Sequence, residues 1–185
     1  MGRVAIITGA SRGIGAATAI LAAARGYAVC VNYLRNEAAA RGVVEAIQGA
    51  GGKAIAVAAD VSKEADVVRM FEAVDWELGT VTALVNNVGI LEPQGRVENI
   101  DGARLQRVFA TNVIGSFLCA REAVRRMSTN HGGPGGAIVN VSSAAARIGS
   151  PNEYVDYAAS KGAVETMTLG LAKEVAEEGI RVNAV

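Results

Sequence analysis

The chain has 185 residues, enough for one domain with a substantial core, and its 51% hydrophobic and 19% charged content is that of a globular protein. Its 18 basic residues balance its 18 acidic ones, so it offers no basic stripe for nucleic acid and no polybasic segment for a membrane surface. The one histidine, His131, sits in a Gly/Pro-rich loop, which leaves no ligands for a histidine-based triad or a zinc site, and no metal is expected.

Arg3 to Thr8 is a nearly continuous apolar run, the pattern of a strand buried on both faces. It is too short, and too soon broken by Gly9 and Arg12, to be a signal peptide or a membrane span, so a cytoplasmic protein is expected. Gly9-Ala10-Ser11-Arg12-Gly13-Ile14-Gly15 follows, then an Ala-rich helical pattern over about 14–25. Strand, glycine turn and helix in this order predict a dinucleotide site, with backbone N–H groups at the helix start facing the phosphates. Gly9 serves the tight turn, Gly13 the backbone's approach to a pyrophosphate, and Gly15 the packing of helix on strand.

The second strand pattern, 28–32, leads into Asn32-Tyr33-Leu34-Arg35. An acidic residue here would accept the ribose 2′-hydroxyl of NAD and repel a 2′-phosphate, and none is present. Arg12 and Arg35 are instead placed to form charge-assisted bonds to a phosphate, so NADP(H) is the expected cofactor, with NAD still possible. The alternative is a pair of solvated surface arginines. Cys30, closing this strand, and Cys119, in a later helix, lack metal-ligand spacing and are expected to be buried small hydrophobes.

Helical patterns at 36–49, 64–78, 103–128 and 155–178 then alternate with strand patterns at 54–58, 82–86, 137–142 and 180–185. This alternation predicts a doubly wound parallel α/β sheet of the Rossmann type, a single domain over residues 1–185. Ligands in such sheets bind beyond the carboxyl ends of the strands, where strand order reverses. Asp60-Val61, Asn86-Asn87-Val88-Gly89 and Ser142-Ser143 all fall at or just after such ends.

Tyr157 and Lys161 lie four apart in Tyr157-Ala-Ala-Ser-Lys161, which puts them one turn apart on one helix face. A cation held beside a phenol favours the phenolate, and the pair then suits proton transfer. Taken alone, such a spacing is more often an amphipathic contact with a solvated ammonium. Thr8-Gly-Ala-Ser-Arg-Gly13-Ile-Gly15, Asn86-Asn87-Val88-Gly89, Asn112, Ser142-Ser143 and Tyr157-x-x-x-Lys161, in this order over residues 3–185, together resemble the short-chain dehydrogenase/reductase family. Within it, the chain is most similar to reductases of the 3-oxoacyl-carrier-protein and glucose dehydrogenase type.

The resemblance implies an oxidoreductase that moves a hydride between a nicotinamide cofactor and a small-molecule carbonyl or secondary alcohol. Tyr157 would be the acid/base, Lys161 its partner and a holder of the nicotinamide ribose, and Ser143 the residue that positions the carbonyl. Ser142 competes for that last role; Ser143 is preferred because the family's active serine is usually the second of such a pair. Asn112 would bend the long helix and anchor a water linked to lysine, Asp60 and Val61 would flank the adenine, and Asn87 and Gly89 would border the cofactor. Val88 stands where the family usually has alanine, which tightens the floor of the cleft. Tyr154 lacks a lysine four positions on and is expected at the substrate mouth. The two long helices form the subunit contact in the family, implying a homotetramer or homodimer. The chain stops within its sixth strand pattern, where relatives continue with a Pro-Gly turn and a substrate-covering loop, so the C-terminal part of the usual fold is expected to be absent from this sequence. The contrasting readings are a catalytically silent dinucleotide sensor, whose mark is loss of the tyrosine or lysine, and an inactive fragment.

Overall fold

A computed structural model describes residues 2–185 and places six strands in one parallel sheet. They are β1 (Arg3–Ile7), β2 (Tyr27–Tyr33), β3 (Ala54–Ala58), β4 (Ala83–Asn86), β5 (Gly136–Asn140) and β6 (Ile180–Ala184), in the spatial order β3-β2-β1-β4-β5-β6. The order reverses between β1 and β4, and that switch point fixes where the site must lie.

Alternation along the strands divides the core between two faces. Ala5 and Ile7 of β1, with Val29 and Val31 of β2, pack under α1 (Gly13–Ala24) and α2 (Glu37–Gly49). Val4, Ile6, Cys30, Leu84 and Ile138 point the other way, toward Val67, Met70, Phe71 and Val74 of α3 (Glu64–Glu77). Each of these fully buried aliphatic or aromatic side chains contributes about 1.5–3 kcal/mol through removal from water. Cys30 and Cys119 are buried and unbridged, and burial pushes the Cys119 thiol up to about 12, so neither is a reactive thiolate.

The helix expected over 103–128 is three segments: α4 (Gly102–Phe109), a π-helical turn (Ala110–Ile114) and α5 (Gly115–Met127). The hydrophobic pattern runs through all three, so it could not report the change of winding. A further four-residue helix, α6 (Ala145–Ile148), follows the two serines and is too short to show any periodicity. The last long helix, α7 (Val155–Glu174), gives way to a 3-10 turn at Ala176–Glu178 before β6.

Candidate active site

The ends of β1 and β4 are stitched together by Thr8, which is 1% exposed. Its hydroxyl accepts from the backbone N–H groups of Asn87 (2.9 Å) and Val88 (3.1 Å). The Asn87 amide donates to the Thr8 carbonyl at 2.8 Å and the Gly9 carbonyl at 3.2 Å. At Gly15 a side chain is excluded outright, because a Cβ would lie 2.6 Å from both the Asn87 amide nitrogen and the Gly9 carbonyl oxygen. The helix α1 therefore starts directly against the turn that precedes it.

That helix start carries no side-chain cap. The first turns of α2 and α4 are capped by Asn36, which accepts from Ala39 N–H at 3.0 Å, and by Asp101, which accepts from Arg104 N–H at 2.6 Å. The α1 N-cap, Arg12, supplies no such bond, and the first turn of α1 contains no acidic residue. Its N–H groups and positive dipole end are thus available to an anion, beside exposed Gly13 and Ile14 and half-buried Ser11. The residues present fit a dinucleotide pyrophosphate.

Asn32 is 1% exposed and its amide is committed within the fold. It accepts from Gly9 N–H at 3.1 Å and donates to the Ala59 carbonyl at 3.1 Å, so it shapes the glycine turn from behind. Arg12 and Arg35 are both exposed, and among the described residues neither guanidinium has a hydrogen-bond or ion-pair partner. Asp60 accepts from the Ser62 N–H (3.1 Å) and hydroxyl (2.7 Å), forming the turn into α3, while Val61 is buried against Gly115. Val88 packs against Gly9 at the floor of the cleft.

At the other end, Lys161 is 3% exposed, with its ammonium 5.7 Å from the centroid of the Tyr157 ring. The ammonium donates to the Val141 carbonyl at 2.6 Å, just past the end of β5. Burial lowers the Lys161 pKa from its ordinary value. Gly89 borders this ammonium, since a Cβ there would lie 3.4 Å from Nζ.

Asn112 lies in the π-helical turn and is fully buried. Its side chain accepts from Ile90 N–H at 2.8 Å and donates to the Ile90 carbonyl (3.1 Å) and the Ser160 hydroxyl (3.0 Å). Ser160 in turn donates to the Tyr157 carbonyl at 2.7 Å. One amide thereby holds the segment leaving β4 and the helix carrying Tyr157. The two serines have different partners: Ser142 donates to Glu165 Oε1 at 2.9 Å, whereas Ser143 Oγ accepts from Ala145 N–H at 3.2 Å. Tyr154 is the half-buried residue at the start of α7.

Sequence reasoning singled out the ends of the strands and quoted Thr8 as the start of the glycine motif, but gave it no bracing role and missed Ser160 and the buried pair Arg104–Asp156. Thr8 and Ser160 had usable signals, the one at the head of the glycine motif and the other inside the Tyr157–Lys161 turn. Among the described residues no helix is long and apolar enough to cross a membrane.

The family model described as short chain dehydrogenase matches residues 3–185. An uncharacterized oxidoreductase of Escherichia coli (strain K12), YgfF, is 59% identical over 98% of this chain and 74% of its own length. The cis-4-hydroxycyclohexanecarboxylate dehydrogenase of Sinomonas cyclohexanicum is 40% identical over 99% of this chain and 71% of its own. Among solved structures, a short-chain dehydrogenase/reductase mutant of Serratia marcescens superposes with a TM-score of 0.93 at 34% identity, over all of this chain and 73% of that one. With the switch-point cleft, the uncapped helix start and the tyrosine–lysine turn in place, these likenesses establish that the chain belongs to the short-chain dehydrogenase/reductase family of NAD(P)-dependent oxidoreductases.

Proposed function

We propose that this protein is an NADP(H)-preferring enzyme that interconverts a carbonyl and a secondary alcohol on a small molecule. The observation that carries this reading is the buried Lys161, anchored on Val141 and set against the Tyr157 ring at the carboxyl end of the sheet. When bound, the nicotinamide cofactor supplies or accepts the hydride. Tyr157 gives a proton to the developing alkoxide in one direction and takes it back in the other. The Lys161 ammonium, held close and shielded from water, stabilises negative charge on the phenol oxygen and serves the nicotinamide ribose. Ser143 retains its hydroxyl proton for a carbonyl oxygen, because its recorded bond is one in which it accepts. Asn112 fixes the helix turn behind Tyr157 through Ser160.

Preference for NADP(H) rests on two exposed arginines flanking the cleft and on the absence of an acidic side chain between Asn32 and Arg35. Asp60 and Val61 border the adenine, and Asn87 and Gly89 the cofactor's ribose side. Exposed Ile114 and Phe117, at the end of the π-turn and on α5, and Leu169 on α7 support assembly as a homodimer or homotetramer through these helices. The test follows NADPH absorbance over ketones, sugars, steroids and acyl thioesters with the full-length protein and with Tyr157→Phe. Turnover on one class, reduced about 10²–10⁴-fold in the variant while NADPH still binds, is expected. Undiminished turnover by Tyr157→Phe would refute the mechanism, and NADPH binding without turnover on any class would favour a sensor.

A further inference from the structure

The start of α7 holds an ion pair that the reaction just described does not use. Arg104 Nε donates to Asp156 Oδ2 at 2.7 Å and Nη2 to Oδ1 at 2.9 Å, a two-pronged fork. The third nitrogen, Nη1, donates to the Pro93 carbonyl at 2.6 Å. The Asp156 side chain is 1% exposed and that of Arg104 11%. Asp156 immediately precedes Tyr157, and the residue at the N-cap of α7, Tyr154, makes no side-chain capping bond. The Arg104 fork, burial and the Tyr157 backbone N–H all act on the Asp156 carboxylate, with the net effect of holding it below the usual range.

The same region is tied down a second time. Gly95 N–H donates to the Glu153 carbonyl at 3.0 Å, and Arg96 Nη1 to Asn152 Oδ1 at 3.2 Å. The segment after Gly89 is thus joined to the loop before α7 at exposed points, while Arg104 links Pro93 of that segment to the buried Asp156 carboxylate in the first turn of α7. Burying two charges costs several kcal/mol per ion, and replacing such a pair by apolar side chains is commonly neutral or stabilising. Stability therefore gives a weak reason for the pair, whereas direction gives a strong one: a planar fork fixes both distance and rotation.

We propose that Arg104 and Asp156 are positioning residues, a clamp that sets the rotation of the first turn of α7 and so aims the Tyr157 hydroxyl, while tying that turn to the segment after Gly89. The proposal rests on Tyr157 being the proton donor. A shift of about 1 Å at a reacting group costs on the order of 100-fold in rate, so the clamp acts on kcat and leaves the phosphate end of the cleft alone.

The test compares full-length wild type with Arg104→Met/Asp156→Leu, Arg104→Lys, Asp156→Asn and Tyr157→Phe. For each, thermal midpoint, NADPH affinity by fluorescence titration, and kcat and KM on a carbonyl substrate of the wild type are measured. The apolar double variant is expected to keep its thermal midpoint and NADPH affinity while kcat falls about tenfold or more, and Arg104→Lys, which keeps the charge but not the fork, to fall between. Asp156→Asn is expected to show the same kcat loss if it folds. Unchanged kcat in the folded double variant overturns the clamp, as does a kcat loss matched by an equal loss of NADPH affinity. Failure of every variant at this pair to fold also overturns it, since the pair is then structural. Turnover retained by Tyr157→Phe defeats the catalytic reading itself, whatever the clamp variants do.

Discussion

Ser142 and Ser143 are adjacent and chemically identical, yet their hydroxyls are committed differently, one giving its proton to Glu165 and the other accepting from Ala145 N–H. Ser143→Ala is therefore expected to lower kcat about 10²–10³-fold, the effect of losing a donor aimed at developing charge, with Ser142→Ala leaving kcat little changed. Steady-state kinetics on the two variants decides it, and equal losses would move carbonyl positioning elsewhere. At the other end of the cleft, Arg12→Ala/Arg35→Ala is expected to raise KM for NADPH by about tenfold or more, as the loss of charge-assisted bonds implies, and to leave KM for NADH nearly alone. Equal rises for both cofactors would count against the 2′-phosphate role. Candidates of this kind could be named from the sequence because most sit on a short contiguous motif whose spacing carries its geometry, Tyr157 and Lys161 above all. Arg104 and Asp156 could not be, because their pairing spans 52 positions and neither has a motif of its own. The bracing role of Thr8 was hidden although the residue heads a motif, because its partners lie 79 and 80 positions away.

Among the elements, the π-helical turn at Ala110–Ile114 departs most from what apolar spacing predicts. Periodicity reports which face is buried; it is blind to one residue more or fewer in a turn that stays helical. The strands and the other long helices were legible within a residue or two at most ends, since their apolar patterns are long and bounded by glycine or polar turns. The bulge presents Asn112 to both backbone groups of Ile90 and to Ser160. In Asn112→Ala the half-buried Ile90 N–H loses its acceptor and the buried Ser160 hydroxyl its donor, which is expected to cost about 1–3 kcal/mol in urea denaturation and to lower kcat through the loosened Tyr157 turn. A variant with native stability and native kcat would show that the amide bonds carry neither load.

Across the whole molecule, two buried carboxylates set the response to acid. Asp156 is held low chiefly by Arg104, against the opposing effect of burial. For Glu122 burial raises the pKa, but hydrogen bonds from Arg126 and Arg121 outweigh it and the net direction is down. Because both folded-state values lie below the unfolded ones, the unfolded chain takes up protons first. The stabilisation is complete above the ordinary carboxylate range near pH ~4 and drains away as pH falls through the lower folded values. Thermal midpoints measured from pH 7 down to pH ~3 should fall steeply below about pH 4, and a flat profile would show that neither carboxylate is coupled to folding. The strand order has a consequence for how the molecule is made. During synthesis β1 finds one neighbour, β2, soon after it is made, but its other edge waits for β4. At ordinary rates of synthesis that edge is bare for roughly 4–15 s. During that interval the nascent chain presents an unpaired, apolar ribbon to chaperones and to its own kind.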